Sequence, residues 1–219
     1  MAYEFNGITQ YLSGTSSPLG NRPTAYTMAC RVKGAAQNSK LLFNLGNSTT
    51  NSPVICIASG GVNGNTNPAQ ARFIARSNNT FGLGEINLGG GTAFDNTFHH
   101  IAISWNNSTG RLYVDGAEVA SGGSMDTPQD LNRISISALL RASAAAHFEG
   151  EMAECGMWNA TLTQPEIASL AKGMTCDKVC PQSLVFYAPL VRDLNDQKGG
   201  LVITNNNAAT VAAHPRVYA

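Results

Sequence analysis

The chain has 219 residues, a formal net charge of zero, 43% hydrophobic residues and only 13% charged residues. That supplies a core and leaves the surface to Asn, Ser, Thr, Gly and Gln. Without a basic run, nucleic acid finds no phosphate-binding patch and anionic membrane no electrostatic hold. No apolar run approaches a membrane span, and the start, Met1-Ala2-Tyr3-Glu4-Phe5-Asn6-Gly7, lacks the basic and apolar segments of a signal peptide. The expectation is a native start at Met1 and assembly in a cytoplasm, with no nucleic-acid or membrane partner. In that setting the Asn-x-Ser/Thr sites are ordinary loop residues.

Residues 2–5 and 9–13 read as short strands around Asn6-Gly7, followed by a loop over 14–23. Tyr26, Met28, Cys30 and Val32 alternate with Thr27, Ala29, Arg31 and Lys33, the period of a strand with one buried face. Residues 41–45 and 54–58 are two further strands, then a Gly/Asn-rich exposed loop at 60–68. Residues 71–75 are expected to pair with 81–88, and Gly89-Gly90-Gly91 to end that ladder. In 98–121, Ile101, Ile103 and Trp105 alternate, a polar loop covers 106–110, and Leu112 and Val114 resume the period. Asp115-Gly116 signals a two-residue hairpin, because a type I′ turn needs positive φ at both central positions. Residues 134–137 and 147–158 are the last strands before a helix at 164–172. Thr163 and Glu166 predict its capping box, Pro165 sits in its first turn and Gly173 ends it. Residues 183–190 read as a closing strand. Residues 204–219 have few large apolar side chains and no period, so Asn205-Asn206-Asn207 reads as turn or arm.

Many short strands and turns with one short C-terminal helix indicate an all-β, two-sheet antiparallel sandwich. Such sandwiches reach roughly 200–250 residues as one domain. The expected organisation is a domain over 1–190 and an arm over 191–219 packed on the domain or on a neighbour.

Three segments resemble the laminin-G-like (concanavalin A-like) jelly-roll domains. One is Phe98-His99-His100, the strand after it and Leu112-Tyr113-Val114-Asp115-Gly116. Another is Phe148-Glu149-Gly150-Glu151-Met152-Ala153-Glu154 with Met157-Trp158-Asn159 and the trailing helix. The third is Tyr3-Glu4-Phe5-Asn6-Gly7 with Tyr11-Leu12. The resemblance implies a jelly-roll sandwich and little about ligand, because one fold serves many functions. The ending His214-Pro215-Arg216-Val217-Tyr218-Ala219 resembles tails that follow such domains in bacteriophage-encoded proteins.

Candidate chemistry is sparse. Glu149, Glu151 and Glu154 resemble the acidic strand of laminarinase-type glycoside hydrolases, which need two carboxylates about 5–5.5 Å apart. The middle residue is Glu where those enzymes usually have Asp, only Trp105 and Trp158 are available for a cleft, and solvent-facing structural carboxylates are the favoured reading. His99 and His100 are adjacent on a strand, so one faces in and one out. The five cysteines are scattered and read as reduced. Cys176 and Cys180 are ordinary loop thiols or, if oxidised, a local bridge, and two thiols fall short of the four ligands of structural zinc. No resident cofactor is expected, with calcium the most credible ligand. Its candidate donors are Asp95, Asp115 and Asp126, without the dense acidic loop that roughly 6–8 oxygens require. For a glycan, Tyr113 and Trp158 are the candidate stacking faces, on condition that they are exposed.

The expected function is a non-catalytic virion structural or decoration protein, built into a capsid, head or tail. Its partners would be other virion proteins or copies of itself, and its place the virion. The alternative is a carbohydrate-binding module with glycan partners. A third reading is a glycoside hydrolase using Glu149 and Glu154.

Overall fold

The strands form two stacked antiparallel sheets whose central strands are buried on both faces. The computed structural model describes residues 1–61, 67–77, 85–123, 126, 128–191 and 193–218. In chain order the strands are β1 (Ala2–Asn6), β2 (Tyr11–Gly14), β3 (Tyr26–Lys33), β4 (Leu41–Gly46), β5 (Val54–Ser59), β6 (Gln70–Arg76), β7 (Glu85–Thr92), β8 (His99–Trp105), β9 (Gly110–Val114), β10 (Ala117–Gly122), β11 (Arg133–Ile136), β12 (Leu139–Leu140), β13 (Ala144–Ala145) and β14 (Glu149–Trp158). Helix α1 (Gln164–Ala171), β15 (Leu184–Ala188), β16 (Thr204–Asn206) and β17 (Thr210–Ala212) complete the chain. The first sheet runs β10-β9-β8-β3-β14-β1-β17, with β15 also on β14, and the second runs β16-β2-β11-β4-β5-β6-β7.

The main core lies between the sheets. Tyr26, Met28, Cys30 and Val32 of β3 join Ile101, Ile103 and Trp105 of β8 from one side. Phe43 and Leu45 of β4, Ile55 and Ile57 of β5 and Phe73 of β6 enter from the other. Each large apolar side chain so buried contributes about 1.5–3 kcal/mol. The opposite face of the first sheet carries a second core. There Ala29, Ala102, Tyr113 and Trp158 pack against Ile167 and Leu170 of α1 and against Cys176, Val179, Leu184 and Tyr187. A third cluster, Leu41, Val54, Cys56, Ala58 and Ile74, lies on the outer face of the second sheet, packed with Leu139 and Ala146 at the β12–β13 hairpin.

The turn at Asp115-Gly116 has positive φ at both residues, +49° and +83°, as its sequence demands. At α1, Thr163 N and Oγ1 both donate to Glu166 Oε2, at 2.7 and 2.8 Å. Arg31 of β3 closes the other end of α1 by donating to Leu170 O and Ala171 O at 2.7 and 2.8 Å. Strand β14 is flanked by β3 on one side and by β1, then β15, on the other. Glu154 sits at the changeover, in a bulge with φ +51°.

Two sequence expectations are corrected. Gly89-Gly90-Gly91 does not end the ladder but continues β7 opposite Gln70–Arg76. A side chain at Gly90 would meet Val119 O of β10 at 3.0 Å, so glycine lets the edges of the two sheets approach. Asn205 and Asn206, read as turn or arm, belong to a strand. Strand β16 pairs with β2 and β17 with β1, so this hairpin extends both sheets. Side-chain amides hold it where apolar period is lacking. Asn205 bonds Ala209 through both N and O at 2.9 Å, Asn206 Nδ2 donates to Ser13 Oγ at 2.9 Å, and Asn207 Nδ2 donates to Thr9 O at 2.9 Å. The loop expected at 60–68 and the strand expected at 81–88 lie partly outside the described residues.

Candidate functional site

An open groove of about 570 Å³ lies at one end of the first sheet, where β1 and β3 leave it and β14 enters. Strand alternation brings Glu4 and Asn6 of β1 beside Glu149 and Glu151 of β14, in the register Glu4 opposite Glu151 and Asn6 opposite Glu149. Lys33 at the end of β3 is opposite Glu151 on the other side, and Nζ pairs with Oε1 at 2.7 Å. The same ammonium lies 5.8 Å from the centre of the Phe98 ring. Gln37 forms one wall, donating through Nε2 to Glu149 O at 2.8 Å and accepting from Glu149 N through Oε1 at 2.9 Å. Gln10, Asn96 and Thr210 complete the polar lining. Among the described residues the carboxylates of Glu4 and Glu149 have no ion-pair partner. Acceptors, amides and one cation, with no aromatic ring in the lining other than Phe5, form a surface of hydrogen-bonding edges.

The sequence candidates fall elsewhere. Tyr113 is 3% exposed and Trp158 fully buried, and both belong to the core under α1. Trp158 Nε1 donates to Val179 O at 2.8 Å. Neither ring offers a face to a sugar, so the stacking role is withdrawn. Helix α1 covers the outer face of the strands that carry them.

Asp95 and Asp115 do converge, on His99. His99 Nε2 contacts Asp95 Oδ1 at 3.0 Å and Nδ1 contacts Asp115 Oδ2 at 2.7 Å. Asp115 Oδ1 also accepts from His100 N at 2.9 Å, and Asp95 Oδ1 from Thr97 N and Oγ1 at 2.9 and 2.7 Å. Asp95 Oδ1 and both Asp115 oxygens are therefore committed to protein donors, which is the wrong arrangement for a calcium cage. Asp126 stands exposed in the loop after β10, and among the described residues no group of three or more His, Cys, Asp or Glu is placed to hold a metal.

Glu154 is not in the groove. It is 6% exposed, with Oε2 accepting from Tyr187 OH at 2.7 Å and Oε1 paired with His214 Nε2 at 3.2 Å. Burial, then the adjacent Glu154 charge, pushes the Tyr187 hydroxyl well above its ordinary range, so it stays a donor. Glu149 is exposed in the groove and Glu154 is locked beneath the C-terminal segment, so the pair expected of a hydrolase is not brought to one site. The cysteines are free thiols; burial pushes Cys30 and Cys56 up to about 12, which leaves them protonated.

Residues 6–168 match the family model described as the Concanavalin A-like lectin/glucanases superfamily. The chain belongs to that superfamily. No curated protein matches it by sequence. This lectin-like sandwich is similar in fold to several solved structures. The heptameric SAP-like pentraxin of Limulus polyphemus is 11% identical, with a TM-score of 0.68 over 97% of this chain and 94% of that one. The CBM40 of the Ruminococcus gnavus IT-sialidase is 13% identical, with a TM-score of 0.59 over 78% and 96%. Domain 4 of AbnA, an extracellular arabinanase of Geobacillus stearothermophilus, is 18% identical, with a TM-score of 0.58 over 78% and 76%, in a complex with arabinotriose.

The groove residues Glu4, Asn6, Lys33, Gln37 and Asn96 were not singled out by the sequence. They come from separate segments with no shared spacing. The legible signal was the alternation that puts Glu149 and Glu151 on one face.

Proposed function

We propose that this lectin-like jelly roll is a non-catalytic carbohydrate-binding domain whose glycan site is the groove between β1, the end of β3 and the start of β14. The observation that carries the reading is the groove itself. Its volume of about 570 Å³ lies within the usual size of a small-ligand site, and its walls present amide and carboxylate edges able to hydrogen-bond sugar hydroxyls. The solved relatives described as a CBM40 and as an arabinotriose complex support a glycan as the ligand class. A groove without a stacking ring gives modest affinity, and a Kd on the order of 0.1–1 mM is expected for an oligosaccharide.

NMR titration with neutral and charged oligosaccharides tests this. Backbone resonances of residues 4–6, 33–37 and 149–151 should shift, and Ala35→Trp, which places a bulky ring at an exposed wall position, should abolish the shifts. Saturable shifts confined to another face would overturn the assignment.

A second reading is a structural component of a bacteriophage virion that docks on neighbouring proteins or on copies of itself. The open edge of β17, where Val211 is 49% exposed, favours it, because an unpaired strand edge is a template for a neighbouring strand. The two readings are compatible in a virion-mounted glycan binder.

A further inference from the structure

We infer that the groove prefers amino sugars carrying a free ammonium over acetylated or carboxylated sugars; this rests on the glycan-site reading above. Three carboxylates line the groove, Glu4, Glu149 and Glu151, against the single cation Lys33. Lys33 is already spent on Glu151 at 2.7 Å, with its ammonium also turned to Phe98. Glu4 and Glu149 are exposed and unpaired among the described residues, so the groove presents two uncompensated negative charges to a ligand.

Their placement matters as much as their number. Glu4 lies opposite Glu151 and Asn6 opposite Glu149, so Glu4 and Glu149 are diagonal neighbours across one antiparallel pair. Such positions are about 7–8 Å apart, a gap that one protonated amino-sugar ring can span with its ammonium between two acceptors. A sugar carboxylate in the same place would meet two like charges. The neutral amides of Asn6, Gln10, Gln37 and Asn96 serve the hydroxyls of either sugar, so the selection rests on the carboxylates. Glu4 is exposed and has no ion-pair partner among the described residues, so Glu4→Gln should leave the fold intact.

The test is calorimetric and NMR titration of the whole chain at about pH 6, where amines are protonated. Three probes are used: a β-1,4-linked glucosamine tetramer, its fully N-acetylated counterpart, and sialyllactose. The glucosamine tetramer should bind about fivefold tighter than the acetylated one, the scale of two solvent-exposed ion pairs. Sialyllactose should bind weakest. The double variant Glu4→Gln/Glu149→Gln should reduce the preference to about unity, and added salt should do the same. Equal affinity of the amino and acetylated tetramers in the groove would overturn this inference and leave the glycan site standing. Preference for sialyllactose would overturn it outright. Absence of groove shifts with all three sugars would remove the glycan site itself, and this inference with it.

Discussion

At His99 the imidazole lies between Asp95 and Asp115, while its neighbour His100 is 3% exposed, with neither ring nitrogen hydrogen-bonded. Adjacent positions on β8 face opposite ways, and the two rings respond to pH with opposite sign. Burial pulls His99 down, but hydrogen bonds and charge from Asp115 and Asp95 outweigh it and the net shift is upward. For His100, burial and then the Arg31 charge lower the value to about 3, so it is neutral in the fold. A raised histidine stabilises fully below its unfolded value and loses that contribution as pH rises through the folded value. A lowered one costs stability as pH falls below the unfolded value. The two trends oppose each other in the intact protein, so a difference measurement separates them. Thermal melts of wild type and His99→Gln from pH 5.5 to 8.5 should differ most at the acid end and converge toward the alkaline end. A constant difference across that range would mean that the His99 contacts carry no charge effect. Asp95, lowered to about 2 by the Thr97 side chain, the Thr97 backbone and His99, titrates below this window and does not confuse it.

Helix α1 shows what an element discloses in sequence and what it conceals. Its start was legible because capping chemistry is local: Thr163 and Glu166 are three positions apart and bond each other. Its far end depends on Arg31, which is remote in sequence and sits on a strand read as half solvent-facing. The strands with alternating large side chains were legible for the same local reason. Strands β12 and β13 are two residues each, too short to carry a period, and β16 and β17 are held by Asn amides, which read as turn. The groove was illegible because it is a product of register among β1, β3 and β14. Arg31 gives the element its sharpest test. It is 8% exposed; burial lowers its guanidinium below the ordinary value, and the nearby Glu154 charge partly offsets that. Arg31→Met should cost about 3 kcal/mol in denaturant unfolding, because two helix carbonyls lose a charged donor and a buried carboxylate loses a nearby cation. A cost under about 0.5 kcal/mol would show that the helix end is satisfied without it.

Across the whole molecule, residues 193–218 act as a clasp. Asp196, 5% exposed, accepts from Tyr187 N at 2.9 Å, Lys198 N at 3.0 Å, Gly199 N at 3.1 Å and Leu201 N at 3.2 Å, turning the chain back after β15. Ile203 and Ala209 enter the main core, β16 and β17 add a strand to each sheet, and His214 reaches Glu154. Both nitrogens of His214 face acceptors, Pro215 O at 2.7 Å and Glu154 Oε1 at 3.2 Å, so the segment is tied to the bulge of β14 by its side chain as well as its backbone. Truncation after Leu190 would expose the edges of β1 and β2, uncover part of the core and strand the buried Glu154 carboxylate, a change that reaches both sheets at once. The truncated chain should therefore lose its cooperative thermal transition or melt at least about 10 °C lower, and associate through its bared edges. Calorimetry with solution mass measurement checks this. An unchanged melting temperature would show that the last strands lie on the domain without supporting it. A full-length oligomer that truncation dissolves into stable monomers would instead make the C-terminal segment a connector between copies.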